Sequence, residues 1–346
     1  MKKVFSVVLA LIMSLSLFIP AMAVSIEEGT GVLSAGFIAA EGPEADGNTI
    51  DYRYFSPVKE NDTTKYPLVI WLHGMGDGAK EGKQVTASNI SYWSSDEFQA
   101  RFNNGGAFIL AARSREEKGE CWTNNMIEPL KAAIDDFIAK NKDNVDTTRI
   151  YVGGYSMGGK MTLKMAVAFP EMFAAAFPIC PAWSPDADVL EIIADMPIWL
   201  TAGKTDPLVN YFFNVSVTWE KLCATTNVPG DIRFSTLKKV CYEDGKRTSS
   251  AHHSWFAVNH DFFSADNGDY PYMTTVDGTG AEVTLTYPEG MISWLSSHTS
   301  DYDGTPTTGK GNLETIKNTD NLTANIDFMT FFRKLYEAIT SLFGLI

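Results

Sequence analysis

Basic residues are scarce in this chain: 28 lysines and arginines stand against 42 aspartates and glutamates, a formal charge of −14 over 346 residues. A surface of that sign repels phosphate backbones and anionic headgroups, which disfavours nucleic-acid binding through a basic face. Cysteine is scarce too. Cys121, Cys180, Cys223 and Cys241 lie far apart with no CxxC pair, so the usual zinc-ribbon spacing is missing. Beyond the N-terminus no apolar stretch approaches the roughly 18 residues that mark a membrane-spanning helix. What the chain has in quantity is apolar: 45% hydrophobic and 12% aromatic residues against 20% charged ones, enough to bury a large core. That composition rules out an intrinsically disordered or collagen-like protein.

The N-terminus sets the expected compartment. Lys2 and Lys3 precede an apolar run from Val4 to Ile19, then come Pro20 and Ala21-Met22-Ala23, the small-x-small pattern that a signal peptidase accepts. Residues 1–23 are expected to be a signal peptide cleaved after Ala23, giving a secreted protein without a transmembrane span. An oxidising compartment would permit two disulfides, with Cys223 to Cys241 the nearest pairing and Cys121 to Cys180 the remainder. Buried free thiols are an equal alternative, and spacing does not choose.

From Tyr66 onward apolar runs alternate with helical periodicity. Tyr66 to Leu72 and Ala107 to Ala112 read as strands buried on both faces of a parallel sheet. Between Asn125 and Lys140 the apolar positions Met126, Ile127, Leu130, Ile134, Phe137 and Ile138 recur at helical steps. Strands follow at 149–153, 174–179 and 197–202, a helix at 157–168, a last strand at 231–242 and a closing helix at 291–297. Two earlier strands, 32–40 and 50–56, are expected to form an antiparallel edge. Such alternation predicts an α/β architecture, a mostly parallel sheet with helices on both faces and chemistry at the carboxyl ends of its strands.

Residues 24–298 are therefore expected to form one catalytic domain. The Asp- and Gly-rich stretch 262–288 reads as an insertion carrying a surface hairpin near Val283 to Tyr287. Residues 299–325 have a linker composition, and Phe328, Phe332, Leu335, Ile339, Leu342 and Ile346 then share one face of an amphipathic helix at 326–346. That helix is compatible with docking on the catalytic domain and with attachment to a cell surface or membrane interface.

Gly154-Tyr155-Ser156-Met157-Gly158 is a G-x-S-x-G pattern that follows a predicted strand and opens a predicted helix, the context in which its serine is a nucleophile. A serine hydroxyl needs a base to take its proton and a third group to orient that base. Asp206, on the loop after strand 197–202, is the expected acid, with Asp186 and Asp188 as alternatives. The base is expected among His252, His253 and His260, with His252 preferred. The oxyanion of a tetrahedral intermediate needs two amides; Met157, just after the serine, and Met75, in the His73-Gly74-Met75-Gly76 loop, are the expected donors. Trp122, Trp183, Tyr211, Phe212 and Trp255, near predicted strand ends, could line an acyl or phenolic pocket or be ordinary core.

Tyr66 to Gly74, Val145 to Gly159 and His252-His253-Ser254-Trp255 together resemble the secreted bacterial esterases of the α/β-hydrolase superfamily. The similarity is to the polyhydroxybutyrate depolymerase, feruloyl esterase and prolyl-oligopeptidase-like group, and it covers about residues 30 to 298. In that group the base commonly sits in Gly-His-x-Ser-Trp; here Ala251 replaces the glycine, which leaves His252 and His253 both open. The resemblance implies an α/β-hydrolase fold and a secreted serine esterase, Ser156, His252 and Asp206 acting through an acyl-enzyme, with no metal or organic cofactor. The expected substrate is a small-molecule or polysaccharide-linked ester of feruloyl or acetyl type. A serine peptidase of the prolyl-oligopeptidase type is the second reading, and a surface-attached binding protein that has lost catalysis is the third.

Overall fold

In the computed structural model the apolar runs pair into a nine-stranded sheet of order β1-β2-β4-β3-β5-β6-β7-β8-β9. The structure describes residues 36–115, 121–241, 246–259, 272–284, 290–309 and 311–316; the expected signal peptide, the C-terminal helix at 326–346 and His260 lie outside them. The strands are β1 (Ile38–Glu41), β2 (Asp51–Phe55), β3 (Tyr66–Leu72), β4 (Phe108–Arg113), β5 (Val145–Tyr155), β6 (Ala175–Ile179), β7 (Ile198–Gly203), β8 (Ile232–Leu237) and β9 (Met273–Asp277). From β4 through β8 all neighbours run parallel, while β1, β2 and β9 are antiparallel additions at the two edges. This is an α/β-hydrolase fold.

Cross-strand register shows why the central strands are apolar throughout. Leu68 pairs with Phe108 and Trp71 with Ala111, so Phe108 and Trp71 point to opposite faces. On the Phe108 face, Phe137 of helix α1 (Ile127–Lys140) packs edge-on against Phe108 and Tyr52. On the other, Trp93 packs against Trp71 and Phe177. With no solvated face the strands cannot alternate, and β3 is buried at all seven positions. Gly153 in β5 serves the same layer, because a Cβ there would stand 2.0 Å from the Phe177 ring.

The structure departs from the sequence reading in two places. Met273–Asp277, inside the stretch taken as an insertion, is the edge strand β9, paired antiparallel with β8. Its alternation is weak, yet Thr275 is buried and shares a 2.7 Å hydrogen bond with Ser235, which also accepts from Trp199 Nε1. The expected linker packs against the domain over its described part. Ser300 N donates to Thr148 O, and Tyr302, Leu313 and Ile316 are buried in the main core, so three apolar residues anchor a polar segment. Of the two alternatives left open for the cysteines, the structure takes the one without disulfides: none of the four is bridged to another. Among the described residues no helix is long and apolar enough to cross a membrane.

Candidate active site

Ser156 sits between the end of β5 and the start of helix α2 (Met157–Ala168), with φ 58° and ψ −115°, a conformation that a non-glycine residue adopts only under constraint. The constraint is a set of backbone bonds: Ser156 N donates to Ile179 O, and its carbonyl accepts from Ala182 N and Lys160 N. The flanking glycines are required by contact. A Cβ on Gly154 would lie 2.3 Å from Leu72 O, one on Gly158 1.9 Å from the same oxygen, and one on Gly159 2.7 Å from Ile179 O. Each oxygen belongs to backbone of the sheet or of its strand ends and cannot swing away. The turn therefore lifts Ser156 above the carboxyl edge of the sheet, where it stays 8% exposed.

Asp206 follows β7. Its Oδ1 accepts from Leu208 N at 2.8 Å and Val209 N at 3.0 Å, which fixes the carboxylate and leaves Oδ2 free to meet His252 Nδ1 at 2.7 Å. His252 lies on a helical turn, Ala251–Ser254, whose preceding Ser250 side chain accepts from His252 N. Gly203, the last residue of β7, makes this approach feasible: a Cβ there would stand 2.3 Å from Ala251 O. Burial pushes the His252 imidazole down in pKa, but the Cys180 sulfur and the Asp206 carboxylate beside Nδ1 outweigh it, and the net direction is upward.

The Tyr155 ring is 5.7 Å from that of His252 and 6.3 Å from Trp255, which brings the strand end before the serine alongside the histidine turn. His253 does not reach Asp206; its ring faces Trp255, and burial lowers its pKa to about 4. Asp186 and Asp188 are exposed, and Asp186 accepts from Lys221; the carboxylate on His252 Nδ1 is that of Asp206.

The loop after β3 lies against the serine turn, since a Cβ on Gly158 would also be 2.5 Å from His73 O. Trp122, at φ 54°, holds that carbonyl by a 2.8 Å bond from Nε1. His73 is fully buried, with Nε2 accepting from Ser114 N and Nδ1 2.7 Å from Gly74 O. Burial lowers its pKa to about 4. Met75, on this loop, is exposed, and Met157 supplies the first amide of α2, which has no acceptor within the helix.

The aromatic residues read as either pocket lining or ordinary core are dispersed. Trp122 is core beneath the His73 loop, Trp183 is buried against Lys164, and Phe212 is two-thirds exposed, while Trp255 stays beside Tyr155 and His253. The sequence reading missed Tyr155 and Cys180. Cys180 directly follows β6, at the edge where strand ends carry chemistry, and that position was its available signal.

The profile of the phospholipase/carboxylesterase family matches residues 55–241, more than half of the chain. The chain is similar to feruloyl esterase B of Neurospora crassa, 29% identical over 139 residues, covering 37% of this chain and 43% of that protein. It is also similar to a bifunctional acetylxylan esterase/xylanase of Neocallimastix patriciarum, 25% identical over 162 residues, covering 46% of this chain and 22% of that one. It thus spans about half or less of the curated relatives it matches. The crystal structure of a thermostable esterase superposes with a TM-score of 0.56 at 27% identity, covering 76% of this chain and 63% of that one.

Proposed function

Since this chain belongs to the phospholipase/carboxylesterase family and is a carboxylesterase-type α/β-hydrolase, we propose that it is an exported enzyme cleaving feruloyl- or acetyl-type esters, free or polysaccharide-linked, by a Ser-His-Asp acyl-enzyme route. The observation that carries the route is the pairing of a strained Ser156 turn with the 2.7 Å His252–Asp206 contact at the same sheet edge. Asp206, held by two amides, accepts the Nδ1 proton of His252 and so keeps Nε2 unprotonated toward the serine side. His252 takes the Ser156 proton as Oγ attacks the ester carbonyl, and returns it to the leaving alcohol. The Met157 amide and the Met75 amide of the adjoining loop receive the developing oxyanion. Water then repeats the cycle on the acyl-enzyme.

The ester class is supported by the family and by two relatives whose names specify feruloyl and acetylxylan esters. Export is supported by the Lys2-Lys3 start, the apolar run and Ala21-Met22-Ala23.

The test is hydrolysis of p-nitrophenyl acetate, methyl ferulate, acetylated xylan and a chromogenic prolyl peptide by the protein and by Ser156→Ala. Turnover of an ester, lost in the variant, is the expected result. Preferential cleavage of the peptide, or a serine that a fluorophosphonate fails to label, would overturn it. Export is checked by N-terminal sequencing of the secreted chain, which should begin at Val24.

A further inference from the structure

Cys180 is a buried thiol beside the proposed acid and base for which ester hydrolysis has no task. It directly follows β6 at φ 34°, is fully buried, and places Sγ 3.7 Å from His252 Nδ1 and 3.6 Å from the His252 carbonyl oxygen. Asp206 Oδ2 approaches the same nitrogen at 2.7 Å. One ligand atom from each of Cys180, Asp206 and His252 thus lies within 4.8 Å of the others, and among the described residues this is the one cluster of three such groups.

We propose that Cys180, Asp206 and His252 form an inhibitory site for a thiophilic divalent cation, zinc or cadmium, superimposed on the acid–base pair. Zinc takes sulfur at about 2.3 Å and nitrogen and oxygen at about 2.0–2.2 Å, so tetrahedral ligands stand roughly 3.3–3.6 Å apart. The Sγ to Nδ1 separation of 3.7 Å is already close to that, and the Nδ1 to Oδ2 contact of 2.7 Å has to open by about half an ångström. The donor set, one thiolate, one imidazole and one carboxylate, suits a borderline or soft ion and not magnesium or calcium. Two anionic ligands also balance the double charge in a site nearly closed to water. Without the sulfur, the Asp–His pair alone would be a weak and unselective chelator.

The proton balance explains inhibition. Binding releases the Cys180 thiol proton to solvent, and the His252 proton moves from Nδ1 to Nε2 as Nδ1 takes the metal. No group is oxidised or reduced. With Nε2 protonated, His252 cannot accept the Ser156 proton. This loss of activity rests on the reading of His252 as base; the metal binding itself does not.

The full chain, freed of chelator, is titrated with cadmium chloride while the ultraviolet thiolate-to-cadmium band and p-nitrophenyl acetate hydrolysis are followed together. One equivalent should develop the band and abolish hydrolysis, and EDTA should restore the rate. Cys180→Ser and Cys180→Ala, each compared with its own metal-free rate, should need at least about tenfold more cadmium for the same fractional inhibition and lose the band. His252→Ala, which keeps the thiol, should weaken the band, providing a second test if the Cys180 variants fold poorly. Unchanged cadmium sensitivity in Cys180→Ala, a band that persists there, or an active wild-type chain with no band would overturn the site. A band in a chain that hydrolyses no ester would support the site and overturn the esterase reading instead.

Discussion

His252 Nδ1 donates to Asp206 Oδ2 over 2.7 Å across a sequence separation of 46 residues, and the contact is nearly closed to solvent. Its geometry depends on one absence of side chain and two amides: Gly203 admits the histidine turn, and Leu208 N and Val209 N hold the carboxylate. If this pair drives ester hydrolysis, Asp206→Asn should lower kcat by about 10⁴-fold, because the amide can favour the wrong imidazole tautomer. His252→Ala should be at least as damaging, while His253→Ala should leave kcat within about tenfold, since its ring does not reach Asp206. Steady-state kinetics on p-nitrophenyl acetate checks all three, and a His253 variant as inactive as His252→Ala would refute the assignment.

The serine turn makes a separate prediction about stability. Gly158→Ala places a methyl 1.9 Å from the backbone oxygen of Leu72, so the turn or β3 has to move. The cost should be at least about 2 kcal/mol, read as a lower urea midpoint, with activity lost in the remaining folded protein. Ser156→Ala should be neutral or mildly stabilising by the same assay, because it removes only the hydroxyl.

Buried His73 predicts a pH dependence of stability. Its folded pKa is depressed from 6.5 to about 4, so between those values the unfolded chain binds a proton that the folded one does not. Its contribution is therefore fully present above pH 6.5 and is lost as pH falls toward 4, by up to about 3 kcal/mol. Urea unfolding at pH 7 and pH 4.5 should show a smaller acid loss in His73→Asn than in the parent. Equal losses would contradict it.

The edge strand can be tested through a buried pair of hydroxyls. Ser235→Ala leaves Trp199 Nε1 and Thr275 Oγ1 without the oxygen they share, which should cost about 1–3 kcal/mol. An insertion lying loosely on the surface would tolerate Thr275→Val, whereas in the paired strand that change removes the buried hydroxyl bonded to Ser235 and should cost about 1 kcal/mol, read as a lower urea midpoint.

The segment after the closing helix gives the last prediction. Ile316 is fully buried, so Ile316→Ala should destabilise the domain by about 2–5 kcal/mol, an effect that a free linker would not produce. Thermal unfolding of the variant decides between them.

The sequence by itself determined the central architecture and singled out Ser156 as the proposed nucleophile. Strands buried on both faces are written as unbroken apolar runs, so β3 appears with its observed ends, and α2 likewise follows from a glycine-bounded helix start. Ser156 was legible because a strand-to-helix turn tight enough to strain a serine demands glycine at fixed offsets, and those demands are local. The edge strand β9 and the packed segment around Ile316 were not legible, because each is stabilised by a few long-range partners in a stretch whose composition reads as loop. His252 was preferred over its neighbour on sequence but not decided there: adjacent histidines share composition and spacing, and the turn at Ser250 and the space left by Gly203 decide which ring meets Asp206. Cys180 belongs to the same class, a residue whose meaning comes from the crossing of β6 and the histidine turn, a distance in space that no spacing along the chain encodes.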